Sequence, residues 1–166
     1  NGKIYWTEIV PGLRWTHENY SVLKCYDLKE GRIKSITPRQ RYLSPSVDKN
    51  GKVAAVSRTT VDGKNQLVLV ELEDGKELFA FQVPGNAFIK ELTFTDQDEV
   101  VAVAVTDAGI SLLQFTPSSG QWEELLSTAS VNITSPVWKD GRIYFESGAT
   151  GTNNLYCLDP ADHQVY

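Results

Sequence analysis

Gly141-Arg142-Ile143-Tyr144-Phe145-Glu146-Ser147 reads as one β-strand opening just past a tight turn, and Leu155-Tyr156-Cys157-Leu158-Asp159 reads as its partner. The same two-part phrase stands at three earlier places. Its first half recurs as Gly2-Lys3-Ile4-Tyr5-Trp6-Thr7, Gly51-Lys52-Val53-Ala54-Ala55-Val56-Ser57 and Asp98-Glu99-Val100-Val101-Ala102-Val103. Its second half recurs as Leu23-Lys24-Cys25-Tyr26-Asp27, Leu67-Val68-Leu69-Val70-Glu71 and Leu112-Leu113-Gln114-Phe115-Thr116. The period is about forty-five residues, and composition alone does not generate a period.

A repeat of this length, built only of β-forming runs and turns, has the size of one β-propeller blade. The expected fold class is all-β: a β-propeller arc of about four four-stranded antiparallel blades, with the ring incomplete. The chain is then a single propeller segment over 1–166, with blades at about 1–37, 38–84, 85–130 and 131–166. It starts at the second strand of its first blade, so that blade lacks the innermost strand. Turn residues sit where hairpins need them, because Asn-Gly, Asp-Gly and lone Gly accept a positive φ cheaply. Asn50-Gly51, Asp62-Gly63, Asp74-Gly75, Ser119-Gly120 and Asp140-Gly141 all fall between runs. Val100 to Val105 shows no polar alternation, the mark of a strand covered on both faces, whereas Gly31 to Ile36 alternates as a solvated outer strand does.

Composition narrows the class of function. The chain has 166 residues, 41% of them hydrophobic and 22% charged, which is a folded chain and not a disordered tail. Its formal charge of −5 is spread without a Lys/Arg block, so no row of phosphates is matched and nucleic acid is not an expected partner. No apolar run approaches the roughly twenty residues of a membrane-crossing helix. The absence of any Met, with a first residue one step before a strand, points to a piece of a longer polypeptide. Cys25 and Cys157 hold equivalent positions three periods apart, too far for a disulfide, so two free, mostly buried thiols are expected.

Ser44-Pro45-Ser46-Val47-Asp48-Lys49-Asn50-Gly51-Lys52 and Ser135-Pro136-Val137-Trp138-Lys139-Asp140-Gly141-Arg142 resemble the Ser-Pro-x-Trp-Ser-Pro-Asp-Gly-Lys phrase of TolB-like propellers. Leu155 to Asp159 looks like the apolar run into Asp that follows it in that family. The third blade departs from the phrase, since Leu92-Thr93-Phe94-Thr95-Asp96-Gln97-Asp98 lacks its Pro and Gly. Such propellers serve in periplasmic binding proteins, as gating domains of prolyl oligopeptidase-like enzymes and as accessory modules of large secreted bacterial proteins. The resemblance implies a non-catalytic protein- or polymer-binding or scaffold module of a larger exported protein, periplasmic or extracellular. The alternative it implies is a propeller gating or supporting a hydrolase or peptidase domain outside this segment. An arc leaves an apolar sheet face bare at each end, so the expected partners are the remaining blades or domains of the parent chain, or a second copy.

Candidate chemistry is sparse. Glu8 to Ser21 reads as the longest irregular segment, and Arg14, Trp15, His17 and Tyr20 within it are the candidate binding residues, able to stack on and hydrogen-bond a ligand. No catalytic residue, metal ligand or cofactor is expected. His17 has Ser21 where a zinc helix would place its second His, and no Gly-x-Ser-x-Gly elbow occurs. Asp48 to Gly51 lacks the Glu that would close a calcium loop and reads as a hairpin. Asp27, Glu71 and Asp159 recur at strand ends, as turn-capping side chains do. Glu91 is the acid on an expected inner strand.

Overall fold

The computed structural model describes residues 2–11, 19–128 and 131–166. Its chain meanders up and down through four antiparallel sheets. Sheet 1 has three strands, β1 (Lys3–Pro11), β2 (Asn19–Asp27) and β3 (Arg32–Ser35). Sheet 2 holds β4 (Tyr42–Val47), β5 (Val53–Thr59), β6 (Asn65–Glu71) and β7 (Glu77–Gln82). A 3-10 turn at Pro84–Asn86 precedes sheet 3, which holds β8 (Phe88–Phe94), β9 (Val100–Thr106), β10 (Gly109–Thr116) and β11 (Gln121–Thr128). Sheet 4 holds β12 (Ile133–Lys139), β13 (Arg142–Ser147), β14 (Asn154–Asp159) and β15 (Gln164–Val165). The chain forms two compact units, Asn1–Gln82 with the first two sheets and Val83–Tyr166 with the last two.

In each unit the core lies between its two sheets. In the first, Leu23, Cys25 and Ile36 of sheet 1 and the adjoining linker pack with Ala54 of sheet 2 and Leu72 of the turn after β6. In the second, Val101, Val103, Leu112 and Leu125 pack with Ile133, Ile143, Phe145 and Leu158. The unalternating run Val100 to Ala104 is fully buried at every position, as its sequence requires. Each buried Val or Leu contributes about 1.5 to 3 kcal/mol, so these layers dominate the stability of each unit.

The Ser-Pro pairs acquire a structural reason. β4 and β12 each slip register against their partner, between Leu43 and Ser46 and between Thr134 and Val137. Ser44 and Ser135 sit in these bulges with φ of 50° and 55°. Proline, with no N–H to offer a ladder, fits a bulge where pairing is interrupted. β8 slips too, between Ile89 and Glu91, without the Ser-Pro phrase. The Glu91 carboxylate accepts the Ser135 N–H at 2.5 Å, so this acid secures the bulge of the neighbouring inner strand.

Three expectations are corrected. The irregular segment after β1 is shorter than Glu8 to Ser21, because the β-branched Ile9 and Val10 extend the ladder, pairing with Ser21 and Tyr20. Val53 is not the counterpart of Ile4, Val100 and Ile143: these face Tyr26, Phe115 and Leu158, whereas it is Ala54 that faces Val70. The Asp48 turn causes the offset, since its carboxylate accepts the N–H groups of Asn50, Lys52 and Val53 at 3.3, 2.7 and 2.8 Å and holds a longer loop. The outer strand β3 is exposed throughout, Ile33 included, because Ile33 pairs with Tyr26 on the face turned away from sheet 2.

Candidate functional site

In an antiparallel meander the second-to-third strand turns and the links between sheets emerge at the same end. At that end of the first unit the links 36–41 and 60–64 come together beside the start of β2, and a groove of about 290 Å³ opens there. It is lined by Tyr20, Arg39, Gln40, Arg41 and the Arg58 to Val61 stretch. Of the four candidate residues, Tyr20 therefore reaches a concave site, though it sits on strand β2 opposite Val10 and not in a loop. Arg14, Trp15 and His17 lie outside the described residues.

The walls are built firmly. Gln40 exchanges backbone hydrogen bonds with Ser21 at 2.6 and 2.8 Å, and the Ser21 hydroxyl donates to the Tyr42 carbonyl at 2.6 Å. Further back, the Leu23 N–H donates to the Thr37 hydroxyl at 3.0 Å. These bonds tie the link between sheets 1 and 2 to β2 and hold Arg39 and Arg41 on either side of a fixed point. Arg39 carries its guanidinium 6.0 Å from the centre of the Tyr20 ring, within reach of a cation–π contact.

The three arginines differ in their commitments. Arg58 donates to both carboxylate oxygens of Glu77, at 2.6 and 3.1 Å, and to Gln66 Oε1, and lies 5.9 Å from the Tyr42 ring centre. Tyr42 donates to the same Glu77 at 3.0 Å, and burial first, then Glu77, pushes its phenol up to about 12. Asp62, the nearby turn acid, accepts from Thr60 at 2.6 Å and pairs with Lys64 at 3.3 Å; the Thr60 hydrogen bond, first, holds its carboxyl below the usual range. Arg39 and Arg41 are exposed, and among the described residues neither has a carboxylate partner. Sequence reasoning missed both. Their signal was an Arg-x-Arg step, two cations flanking one residue, in the link that follows β3.

The turn acids behave as caps. Asp27 Oδ1 accepts the N–H groups of Lys29 and Glu30 at 2.9 and 3.1 Å, and these bonds, with that of Glu30 the larger, hold its carboxyl low. Asp159 Oδ1 accepts from Ala161 at 3.0 Å. In sheet 2 it is Asp74 Oδ1 that accepts the backbone N–H of Lys76 at 2.8 Å, while the Glu71 carbonyl accepts the Gly75 N–H at 3.0 Å. Among the described residues no three His, Cys, Asp or Glu side chains converge as metal ligands would, and no helix is long and apolar enough to cross a membrane.

A second feature lies on sheet 4. Leu23, Leu67, Leu112 and Leu155 hold the same position of the repeat; the first three are 0% exposed and Leu155 is 70% exposed. On the same face Val137, Tyr144 and Cys157 form a cross-strand row, and Cys157 exchanges backbone bonds with Tyr166 at 2.9 and 2.8 Å. The Tyr5–Cys25 pair of sheet 1 is the counterpart of Tyr144–Cys157, and sheet 2 covers it. Burial, then Cys25, pushes the Tyr5 phenol up to about 12; the hydrogen bond with Cys157, first, raises that of Tyr144. Both cysteines are free, but only Cys25 is buried; Cys157 is half-buried, because nothing described lies on its face.

No protein-family profile matches the sequence, and no curated protein matches it. Solved structures do. TolB of Acinetobacter baumannii superposes with a TM-score of 0.72 at 16% identity, over 99% of this chain and 40% of TolB. Puromycin hydrolase superposes at 0.70 with 14% identity, over 99% of this chain and 28% of the hydrolase. The β-propeller domain of the trilobed protease of Pyrococcus furiosus superposes at 0.64 with 12% identity, over 100% of this chain and 53% of that one. These likenesses establish a β-propeller fold of the kind found in TolB, and the chain spans well under two thirds of each of the three.

Proposed function

We propose that this stretch of β-propeller is a non-catalytic binding and scaffold module of a larger exported protein, working in the periplasm or outside the cell and recognising a protein or polymer. The observation that carries the scaffold role is Leu155, exposed at a position that is closed in the three other sheets. A face with this apolar row is completed by another sheet of the same repeat, from the remaining blades of the parent chain or from a second copy. Thiol alkylation tests it. In the chain alone Cys157 reacts far faster than Cys25; in the parent protein Cys157 falls to the rate of Cys25. Equal labelling of Cys157 in both, with no protection as the concentration of the chain is raised, removes the scaffold role.

A second reading is favoured by the likeness to puromycin hydrolase and to a protease propeller, of which this chain matches only a part. Here the propeller gates or supports a hydrolase or peptidase domain lying outside these residues. Sequencing the flanking coding region separates the two, since only the second reading requires a hydrolase signature there.

A further inference from the structure

The geometry points to the groove beside Tyr20 as a carboxylate-binding site that takes an extended acidic peptide, with Arg39 and Arg41 as its clamp; this rests on the reading of the chain as a protein-binding module. Three observations carry it. The chain as a whole is acidic, at −5, yet this groove presents two cations with no described counter-charge, a local reversal of sign that attracts an anion. Arg58, the third arginine, shows what a satisfied guanidinium looks like here: two bonds to Glu77, one oxygen each, and a tyrosine ring against it. Arg39 already has the ring, Tyr20, and lacks the carboxylate.

The spacing selects the ligand. Arg39 and Arg41 flank Gln40, whose backbone is pinned to Ser21 on both its N–H and its carbonyl, so the guanidinium stems leave the chain two residues apart. An extended peptide with acids two residues apart presents carboxylates at the matching interval of about 7 Å on one side. Each guanidinium offers a planar fork that fits a carboxylate with two parallel bonds. The side chain between the two acids points to the opposite side of the extended peptide, away from the arginines, so the groove selects for the acids and leaves that residue free. A nucleic acid strand needs a longer basic track than two residues. A uronic-acid polymer shares the carboxylate on a different backbone spacing, and it serves as the competing outcome.

The test uses fluorescein-labelled acetyl-Gly-Asp-Leu-Asp-Gly-amide, its Asn-for-Asp counterpart and a galacturonate trimer, with anisotropy read against concentration of the chain. The Asp peptide binds saturably and weakens as salt rises from about 50 to about 300 mM, as exposed ion pairs do. Arg39→Gln with Arg41→Gln reduces affinity about tenfold, roughly threefold from each exposed pair, while the melting temperature holds. The Asn peptide loses as much with the unaltered chain, which keeps the test valid should the double variant fold poorly. Equal affinity of the Asp and Asn peptides, an unchanged affinity in the folded double variant, or binding of the galacturonate trimer without the Asp peptide overturns the proposal. Because the peptide is offered to the chain alone, its failure leaves the Cys157 protection experiment untouched, and the reverse holds as well.

Discussion

Truncating the four equivalent leucines one at a time separates a covered sheet face from a bare one. Leu23, Leu67 and Leu112 are 0% exposed, so Leu→Ala at each removes a fully buried side chain and leaves a cavity. The cost is about 2 to 5 kcal/mol. Leu155 is 70% exposed, so the alanine change there forfeits about a third of a side chain's burial and leaves no cavity, costing about 0.5 kcal/mol. The most informative comparison is Leu112 with Leu155, since both lie in the unit Val83–Tyr166 and report on the same core. Urea unfolding followed by tryptophan fluorescence gives the midpoints, and an unchanged slope shows that stability alone has moved. If Leu155→Ala lowers stability as much as Leu112→Ala, the bare face is closed in solution and the reasoning from position fails.

Two further outcomes follow from the turns and the tyrosines. Gly75 has φ +75°, and a Cβ there would lie 2.0 Å from the Ile36 carbonyl oxygen, whereas Gly63, at +78°, faces open space. Gly63→Ala thus costs about 1 to 2 kcal/mol of backbone strain, and Gly75→Ala costs that plus about 1 to 3 kcal/mol of displaced backbone; equal urea midpoints for the two variants would refute the close approach. Tyr42 ionises at about 12 in the folded chain against about 10 unfolded, so its contribution is full below pH 10 and is lost as pH rises toward 12. Absorbance titration near 295 nm should show Tyr42→Phe reducing the late part of the rise, which it shares with Tyr5, and loss of the part centred near pH 10 instead would contradict it.

The hairpins and the buried strands were legible because their signals are local. Gly51, Gly63 and Gly75 carry a positive φ, and Val100 to Ala104 has no polar face to turn outward. The register of sheet 2 was not legible, because Asp48 lengthens its turn by binding three N–H groups and moves Ala54 into the place that spelling assigns to Val53. Nor could alternation tell Leu155 from Leu112, since a strand records which face is apolar but not whether a neighbour stands against it. Of the groove's lining, Tyr20 was singled out through its aromatic company. Arg39 and Arg41 were hidden in a link without periodicity, and they gain meaning only once Gln40 is seen paired to Ser21.

The pairing of the Tyr5–Cys25 face with the Ala54 face repeats in kind where Val101 and Leu112 meet Ile143 and Leu158. Every sheet is thus a brick with a front unlike its back. Stacking of this sort carries no internal stopping rule: each addition regenerates the front on which the next can be laid, and only curvature bringing the last front to the first back ends the series. A gene encoding such bricks can gain or lose one whole repeat and still offer the same mortar joint.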